Sequence, residues 1–121
     1  MGDDMEKLFD AEFRLMEVLW EYEPVNSTKL VHLCEEQLSW NKSTTYTVLR
    51  KLCQKRAAKN ERAIVTTLMS RQQVIRARGD ELADQIGGVA PFLTAFLSGR
   101  KLTAREAEEL KELIDRSMGE G

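Results

Sequence analysis

The hydrophobic period of this 121-residue chain changes from helical to strand-like close to Arg56, and this change limits the folds that it can form. Upstream, apolar residues recur at the three- and four-residue intervals of an α-helix. Downstream, most residues from Ala63 to Leu68 are β-branched, which is typical of a strand whose side chains alternate between two faces. The sequence therefore predicts helices followed by a short β-structure.

Three amphipathic helices are predicted before the change of period. Asp10 is a candidate cap for the first helix, which Pro24 ends. Asn26 and Ser27 are candidate caps for the second, and Asn41 can cap a third. The third helix is expected to reach about Arg56, and its predicted inward-facing residues are Thr45, Val48, Leu49 and Leu52.

A short hairpin is predicted to follow the third helix. Residues 57–60 would pair with residues 63–68 through a turn at Asn60-Glu61. Three helices that end in a hairpin form the winged helix-turn-helix, in which the third helix enters the major groove and the hairpin, or wing, rides on the DNA backbone. The expected fold class is therefore mainly α with a small β-hairpin, with this winged helix-turn-helix at residues 1–70.

A helical region is predicted for residues 71–121. Capping-box pairs at Ser70-Gln73 and Thr103-Glu106 open its first and last helices, Gly87-Gly88 breaks the first, and Pro91 suits the first position of a short helix between them. The last two helices hold more apolar surface than they can bury alone, so we expect a homodimer here rather than helices folded back on the first domain. The predicted dimerisation residues are Phe92, Leu93, Phe96, Leu97, Leu110, Leu113 and Ile114.

Positive charge is concentrated in residues 42–78, which we call the basic segment. It holds ten lysines and arginines against one acid, a net charge of +9, in a chain whose net charge is −2. Such a patch can attract a polyanion, although most charge runs are simply solvated surface.

Seven residues are predicted to contact double-stranded DNA. Hydroxyls can bond base edges or phosphates, a threonine methyl can contact a thymine methyl, and Arg or Lys can read guanine. The predicted contacts are Ser43, Thr44, Thr47, Arg50 and Lys51 on the outer face of the third helix, and Lys59 and Arg62 beside the hairpin turn.

The sequence offers no pattern for catalysis, a metal or a cofactor. His32 is its only histidine, and Cys34 and Cys53 lie at apolar positions of predicted helices, as small buried residues of a reducing compartment would. Trp20 and Trp40 could stack on bases, but their positions beside apolar stripes favour the core. The acidic N-terminal stretch MGDDMEKLFD does not resemble a signal peptide, and no apolar run is long enough for membrane insertion, so we expect a cytoplasmic protein.

Several segments resemble the BlaI/MecI family of penicillinase repressors. The resemblance runs through DAEFRLMEVLW, PVNSTKLV, WNKSTTYTVLRKL, ERAIVTTLMS and GGVAPFLTAFL to KLTAREAEELKELI, nearly the whole chain. It implies a dimeric repressor whose third helix reads a palindromic operator and which controls a β-lactam-resistance or related stress operon. It also implies a membrane sensor protease, encoded nearby, as a candidate partner.

The chain departs from this family at two places. The family's wing usually has a longer tip with glycine than Asn60-Glu61 provides, and its last strand often has an aromatic residue and a proline near Thr67. In the family's β-lactamase repressors, the sensor protease cuts an Asn-Phe bond in the dimerisation region, where this chain has Ala95-Phe96. We therefore expect the chain to resist that cut or to be cut elsewhere.

Two other classes of function fit the sequence less well. A winged helix can also serve as a protein-protein interaction module, but an adaptor face would be less basic and more aromatic than residues 42–78. A nucleic-acid-processing enzyme would need a metal or nucleophile constellation, which the sequence lacks.

Overall fold

The structure is a computed structural model that describes residues 2–119, with side chains from Asp10 onwards. Met1, Glu120 and Gly121 lie outside the described residues. Met1 is the first residue of the first predicted domain and of the acidic N-terminal stretch, and Gly121 is the last residue of the second predicted domain. The elements are, in order, α1 (Gly2–Tyr22), β1 (Val25–Asn26), α2 (Ser27–Leu38), α3 (Lys42–Gln54), β2 (Ala58–Glu61), β3 (Ile64–Thr67), α4 (Arg71–Gln85), α5 (Val89–Leu97) and α6 (Ala104–Gly119).

The chain divides into two compact units, and the division falls inside α4, between Gly79 and Asp80. In the first unit, α1, α2 and α3 surround an apolar core that the sheet completes from one side. Leu15, Leu19, Leu30 and Val65 are fully buried there. This core draws on every element from α1 to β3, so it fixes α3 and the hairpin in one body.

The sheet has three antiparallel strands in the order β1-β3-β2. β2 and β3 form the predicted hairpin, whereas β1 is an additional strand in which Val25 pairs with Val65. Two residues are too few to produce a recognisable alternation, which is why the sequence does not predict this strand. Three helices with this small sheet are the winged helix-turn-helix that the sequence predicts.

Two predicted boundaries in the first unit are wrong. α1 begins at Gly2, so Asp10 lies inside the helix, where it pairs with Arg14 at 3.4 Å, instead of capping it. The hairpin turns at Arg62-Ala63 and not at Asn60-Glu61, because Glu61 pairs with Ile64. Both turn residues have positive φ, 52° and 65°, as a two-residue type I′ turn requires.

The second unit consists of the end of α4 with α5 and α6. The predicted helix break at Gly87-Gly88 is confirmed, because these residues adopt φ of 100° and 121° after the end of α4. α5 begins at Val89, so Pro91 is its third residue and not its first; it is tolerated there because the first turn of a helix has no intrahelical partner for its N–H groups. None of the residues of α5 and α6 whose burial the structure describes is buried.

The capping boxes that the sequence predicts at Ser70 and Thr103 are both formed. The Ser70 Oγ accepts from the Gln73 N–H at 3.1 Å, and the Thr103 Oγ1 accepts from the Glu106 N–H at 3.0 Å. In return, each partner side chain accepts from the capping residue's own N–H. Hydrogen bonds from Thr103 lower the pKa of the Glu106 carboxyl.

Candidate nucleic-acid interface

The turn between α2 and α3 fixes how α3 leaves the core. Ser39 ends α2 in the left-handed conformation with φ of 58°, and the Trp40 N–H donates to the Cys34 carbonyl at 3.2 Å. The Asn41 Oδ1 then caps α3 by accepting from the Thr44 N–H at 2.8 Å. This is the predicted cap, and it gives α3 a defined first turn.

One face of α3 is buried, and it is the predicted one. Thr45, Val48, Leu49 and Leu52 are between 1% and 4% exposed. The Thr45 hydroxyl donates to the Asn41 carbonyl at 3.2 Å, so this buried polar group is satisfied within its own helix. Burial raises the pKa of the Cys34 thiol, an effect that a hydrogen bond with Thr45 partly offsets, so Cys34 is a protonated core residue at neutral pH.

The opposite face of α3 holds the five residues predicted to read DNA, and we call it the reader face. Ser43, Thr47 and Arg50 are exposed and, at spacings of four and three residues, lie along one side of the helix. Thr44 and Lys51 are half-buried beside them. The reader face therefore presents hydroxyls and cations to solvent on a helix whose other side is locked in the core.

The wing follows directly from α3. Arg56 has φ of 61°, and the Ala57 and Arg56 N–H groups donate to the Leu52 and Cys53 carbonyls, which gives the helix a Schellman end. Arg62 lies exposed in the hairpin turn, and among the described residues its guanidinium forms no ion pair. The Lys59 Nζ, in β2, lies 3.7 Å from the Glu61 Oε1, a solvent-exposed pair that is easily exchanged for another anion.

Two cations of the basic segment are engaged inside the first unit. The Lys55 Nζ pairs with the Glu12 Oε2 at 2.9 Å. The Arg71 guanidinium pairs with Glu17 at 2.6 Å and lies over the rings of Phe13 and Trp20, 5.3 and 5.5 Å from their centroids. The charge run thus divides into cations that hold the fold and cations, such as Arg50 and Arg62, that face solvent.

The tryptophans are core residues, as their positions favour. Trp20 is half-buried, and its Nε1 donates to the Met69 carbonyl at 2.9 Å, which fixes the chain between the wing and α4. Trp40 is half-buried against the same core. His32 is exposed, with its Nδ1 3.9 Å from the Glu35 carboxylate. Within residues 10–119, no cluster of His, Cys, Asp and Glu side chains could hold a metal ion.

The predicted dimerisation residues lie on α5 and α6 of the second unit. Phe96, Leu113 and Ile114 are 51–52% exposed. Phe92, Leu93, Leu97 and Leu110 are half-buried. The Phe92 and Phe96 rings stack with centroids 6.2 Å apart, and the Arg100 guanidinium lies 4.4 Å from the Phe96 centroid. None of the described helices is long and apolar enough to cross a membrane.

The wing carries a contact that the sequence does not predict. The Glu23 carboxylate, which follows α1, accepts hydrogen bonds from the Thr67 N–H at 2.8 Å and from the Thr67 hydroxyl. The two residues are 44 positions apart, and neither stands in a recognisable spacing. Glu23 lies just before β1, and Thr67 is the last residue of β3. Only the antiparallel pairing of these two strands could have indicated that the residues are close together.

A capped helix with an exposed polar face, followed at once by a hairpin with exposed cations, defines a DNA-binding protein of the winged-helix class. The sequence model of the penicillinase repressor family matches residues 8–116. A penicillinase repressor of Bacillus licheniformis is 20% identical over 115 residues, and the alignment covers 90% of each chain. The chain belongs to the penicillinase repressor family, and with it to the transcriptional repressors.

Proposed function

We propose that this protein is a homodimeric repressor that binds a palindromic operator, with the reader face in the major groove and the wing on the sugar–phosphate backbone. The observation that carries this proposal is the division of α3 into a buried apolar face and an exposed face of hydroxyls and cations. The regulated genes would be a β-lactam-resistance or related stress operon, which is supported by family membership.

Base reading is assigned to the centre of the reader face. Thr47 offers a methyl group for a thymine and a hydroxyl for a base edge, and Arg50 or Lys51 can donate to the O6 and N7 atoms of a guanine. Ser43 and Thr44 lie in the first turn of α3, where their hydroxyls suit a phosphate. A partner protein would favour aromatic groups at this position, and the reader face has none.

The wing is assigned a phosphate contact through Lys59 and Arg62. Arg62 lies at the tip of the hairpin, and Lys59 lies three residues before it on β2. A phosphate contact is independent of base sequence, so both side chains would add affinity for any duplex and would make it sensitive to salt.

The dimer is assigned to α5 and α6. Their exposed apolar side chains, with Val89 at 65% and Met118 at 76% in addition to the predicted set, are the kind of surface that a second copy would cover. A two-fold dimer would bring two α3 helices to the half-sites of a palindrome, because repressors of this architecture match the symmetry of their operators.

The test begins with selection of bound duplexes from a random library, using the full-length protein. Operator and scrambled duplexes are then titrated at several salt concentrations by fluorescence anisotropy. Thr47→Ala is expected to weaken operator binding by about tenfold and scrambled binding far less, since base contacts give roughly 1–3 kcal/mol of discrimination. Arg62→Ala should weaken both about equally and reduce the salt slope.

Arg14→Ala provides the matched control, because Arg14 is an exposed arginine of α1 outside the assigned interface. It should leave both affinities unchanged. Equal losses for Thr47→Ala on operator and scrambled duplexes would refute base reading by α3, and selection of no consensus sequence would refute the operator itself.

A further inference from the structure

The strand β3 that carries the wing is held to the helices at both of its ends. At the turn, the Ala63 carbonyl accepts from the Ser27 N–H, at the start of α2, at 2.8 Å. At the other end, the Glu23 Oε1 accepts from the Thr67 N–H at 2.8 Å, and the Thr67 Oγ1 lies 2.9 and 2.8 Å from the two carboxylate oxygens. In addition to its pairing with β1, β3 is therefore tied at both ends to residues 23–27, which connect α1 to α2.

The contact with Glu23 is the stronger of the two anchors. Its acceptor is ionised, and hydrogen bonds to an ionised acceptor are about twice as strong as those between neutral groups. Glu23 and Thr67 are both half-buried, so water competes with the contact less than it would at an open surface. The Glu23 N–H in turn donates to the Leu19 carbonyl, which ties the residue to the last turn of α1.

We propose that Glu23 and Thr67 are positioning residues that set the angle of the wing, so that Arg62 and Lys59 reach the DNA backbone. Neither residue is assigned a contact with DNA. This proposal rests on the proposed phosphate contact of the wing and adds the contact that orients the wing. Without the Glu23 contact, β3 would still be held by Ser27, by its pairing with β1 and by the buried Val65 side chain, but its end at Thr67 would lose a tie to the end of α1. A small rotation at that end would displace a side chain at the turn.

Three variants at neighbouring positions of β3 isolate this contact. Thr67→Val removes the hydroxyl and keeps a β-branched side chain that suits a strand, while Thr67→Ser keeps the hydroxyl. Thr66→Val is the matched control, because the Thr66 Oγ1 is buried and has no hydrogen-bond partner among the described residues. Glu23→Ala removes the acceptor from both hydrogen bonds. Melting curves verify that each variant is folded.

We expect Thr67→Val to weaken operator binding about three- to tenfold, because a wing that is held less firmly must be ordered when DNA binds, and Glu23→Ala to weaken it at least as much. Thr67→Ser and Thr66→Val should bind as the unmodified protein does. Equal losses for Thr67→Val and Thr66→Val, or no loss for Glu23→Ala, would overturn the proposal.

A double-mutant comparison distinguishes a change in the orientation of the wing from a general loss of protein stability. If the contact acts through the wing, Thr67→Val should reduce affinity little further in a background that combines Lys59→Ala with Arg62→Ala, and should reduce it fully in a Thr47→Ala background. A full additional loss in the Lys59→Ala, Arg62→Ala background would refute the positioning role alone. Unchanged binding by the Arg62→Ala single variant would instead refute the phosphate contact of the wing, and the positioning role with it.

Discussion

The Nζ atom of Lys55, the residue that ends α3, lies 2.9 Å from the Oε2 atom of Glu12 in α1. The Glu12 side chain is only 7% exposed, whereas that of Lys55 is 58% exposed. The lysine therefore provides the counter-charge for a carboxylate that the core has largely removed from water. A residue that sequence places in a DNA-binding charge run thus has a structural partner.

The first prediction contrasts Lys55 with Arg50. Lys55→Ala leaves the Glu12 carboxylate buried without its cation, so the free energy of unfolding should fall by about 1–3 kcal/mol. Arg50→Ala removes an exposed side chain and should change stability by less than about 0.5 kcal/mol while weakening operator binding. Urea unfolding and anisotropy titration of both variants measure the two effects.

The reverse assignment has a distinct signature. If Lys55→Ala were as stable as the unmodified protein and lost operator affinity instead, Lys55 would be a DNA contact and its pairing with Glu12 incidental.

The second prediction concerns the hairpin turn. Ala63 adopts φ of 65°, a conformation that destabilises an L-residue by roughly 1–2 kcal/mol but not glycine. Glycine offsets part of this advantage because it loses more conformational entropy on folding. We expect Ala63→Gly to stabilise the protein by about 0.5–1 kcal/mol, measured as a shift of the urea midpoint at equal protein concentration. Ala58→Gly, in β2, is the control and should destabilise, because Ala58 is buried and is not among the residues with positive φ. A fall in the midpoint for Ala63→Gly would contradict the turn geometry.

The elements that sequence predicts well are those whose signals are local. The Asn41 cap, the buried face of α3 and the capping boxes at Ser70 and Thr103 each depend on residues within a few positions of one another, and all four are formed. A cap or a helical face is decided by neighbouring side chains, so a window of a few residues contains the necessary information.

The features that sequence missed depend on distant partners. The turn lies at Arg62-Ala63 because β3 takes its register from both β2 and β1, which overrides the weak turn preference of Asn60-Glu61. The roles of Lys55 and Arg71 are set by carboxylates 43 and 54 residues away. A charge run reveals how many cations a segment holds but not which of them are already paired.

The third prediction concerns the dimer. Aspartate at Phe96 or Ile114 would place a charge in the proposed interface, at a cost of several kcal/mol if it is left unpaired. Since Arg100 lies over Phe96 and could pair with an aspartate there, Ile114→Asp is the more stringent variant. Sedimentation should show a monomer whose operator affinity has collapsed, with the helical content of the unmodified protein. Arg105→Asp is the control and should remain dimeric, because Arg105 is exposed and lies nine residues, or two and a half helical turns, from Ile114 and therefore on the opposite face of α6.

A variant Ile114→Asp that stays dimeric at micromolar concentration would move the interface away from this face of α6. Loss of the dimer in the Arg105→Asp control as well would indicate a general effect of acidic charge on α6.

The last prediction concerns induction. The pair that corresponds to the cleaved Asn-Phe bond of the family's β-lactamase repressors is Ala95-Phe96, and it lies within α5, where Ser98 N–H donates to the Thr94 carbonyl. Because alanine lacks the amide side chain at the cleavage position, we expect no cut at this bond when cells that contain a membrane sensor protease of the β-lactam response are exposed to a cell-wall antibiotic. Ala95→Asn restores the family's pair at an exposed position and should be cut. Immunoblots with mass mapping of fragments follow both proteins; a fragment of the unmodified chain that ends at Ala95 would show that alanine suffices and that repression is relieved by the family's proteolytic route.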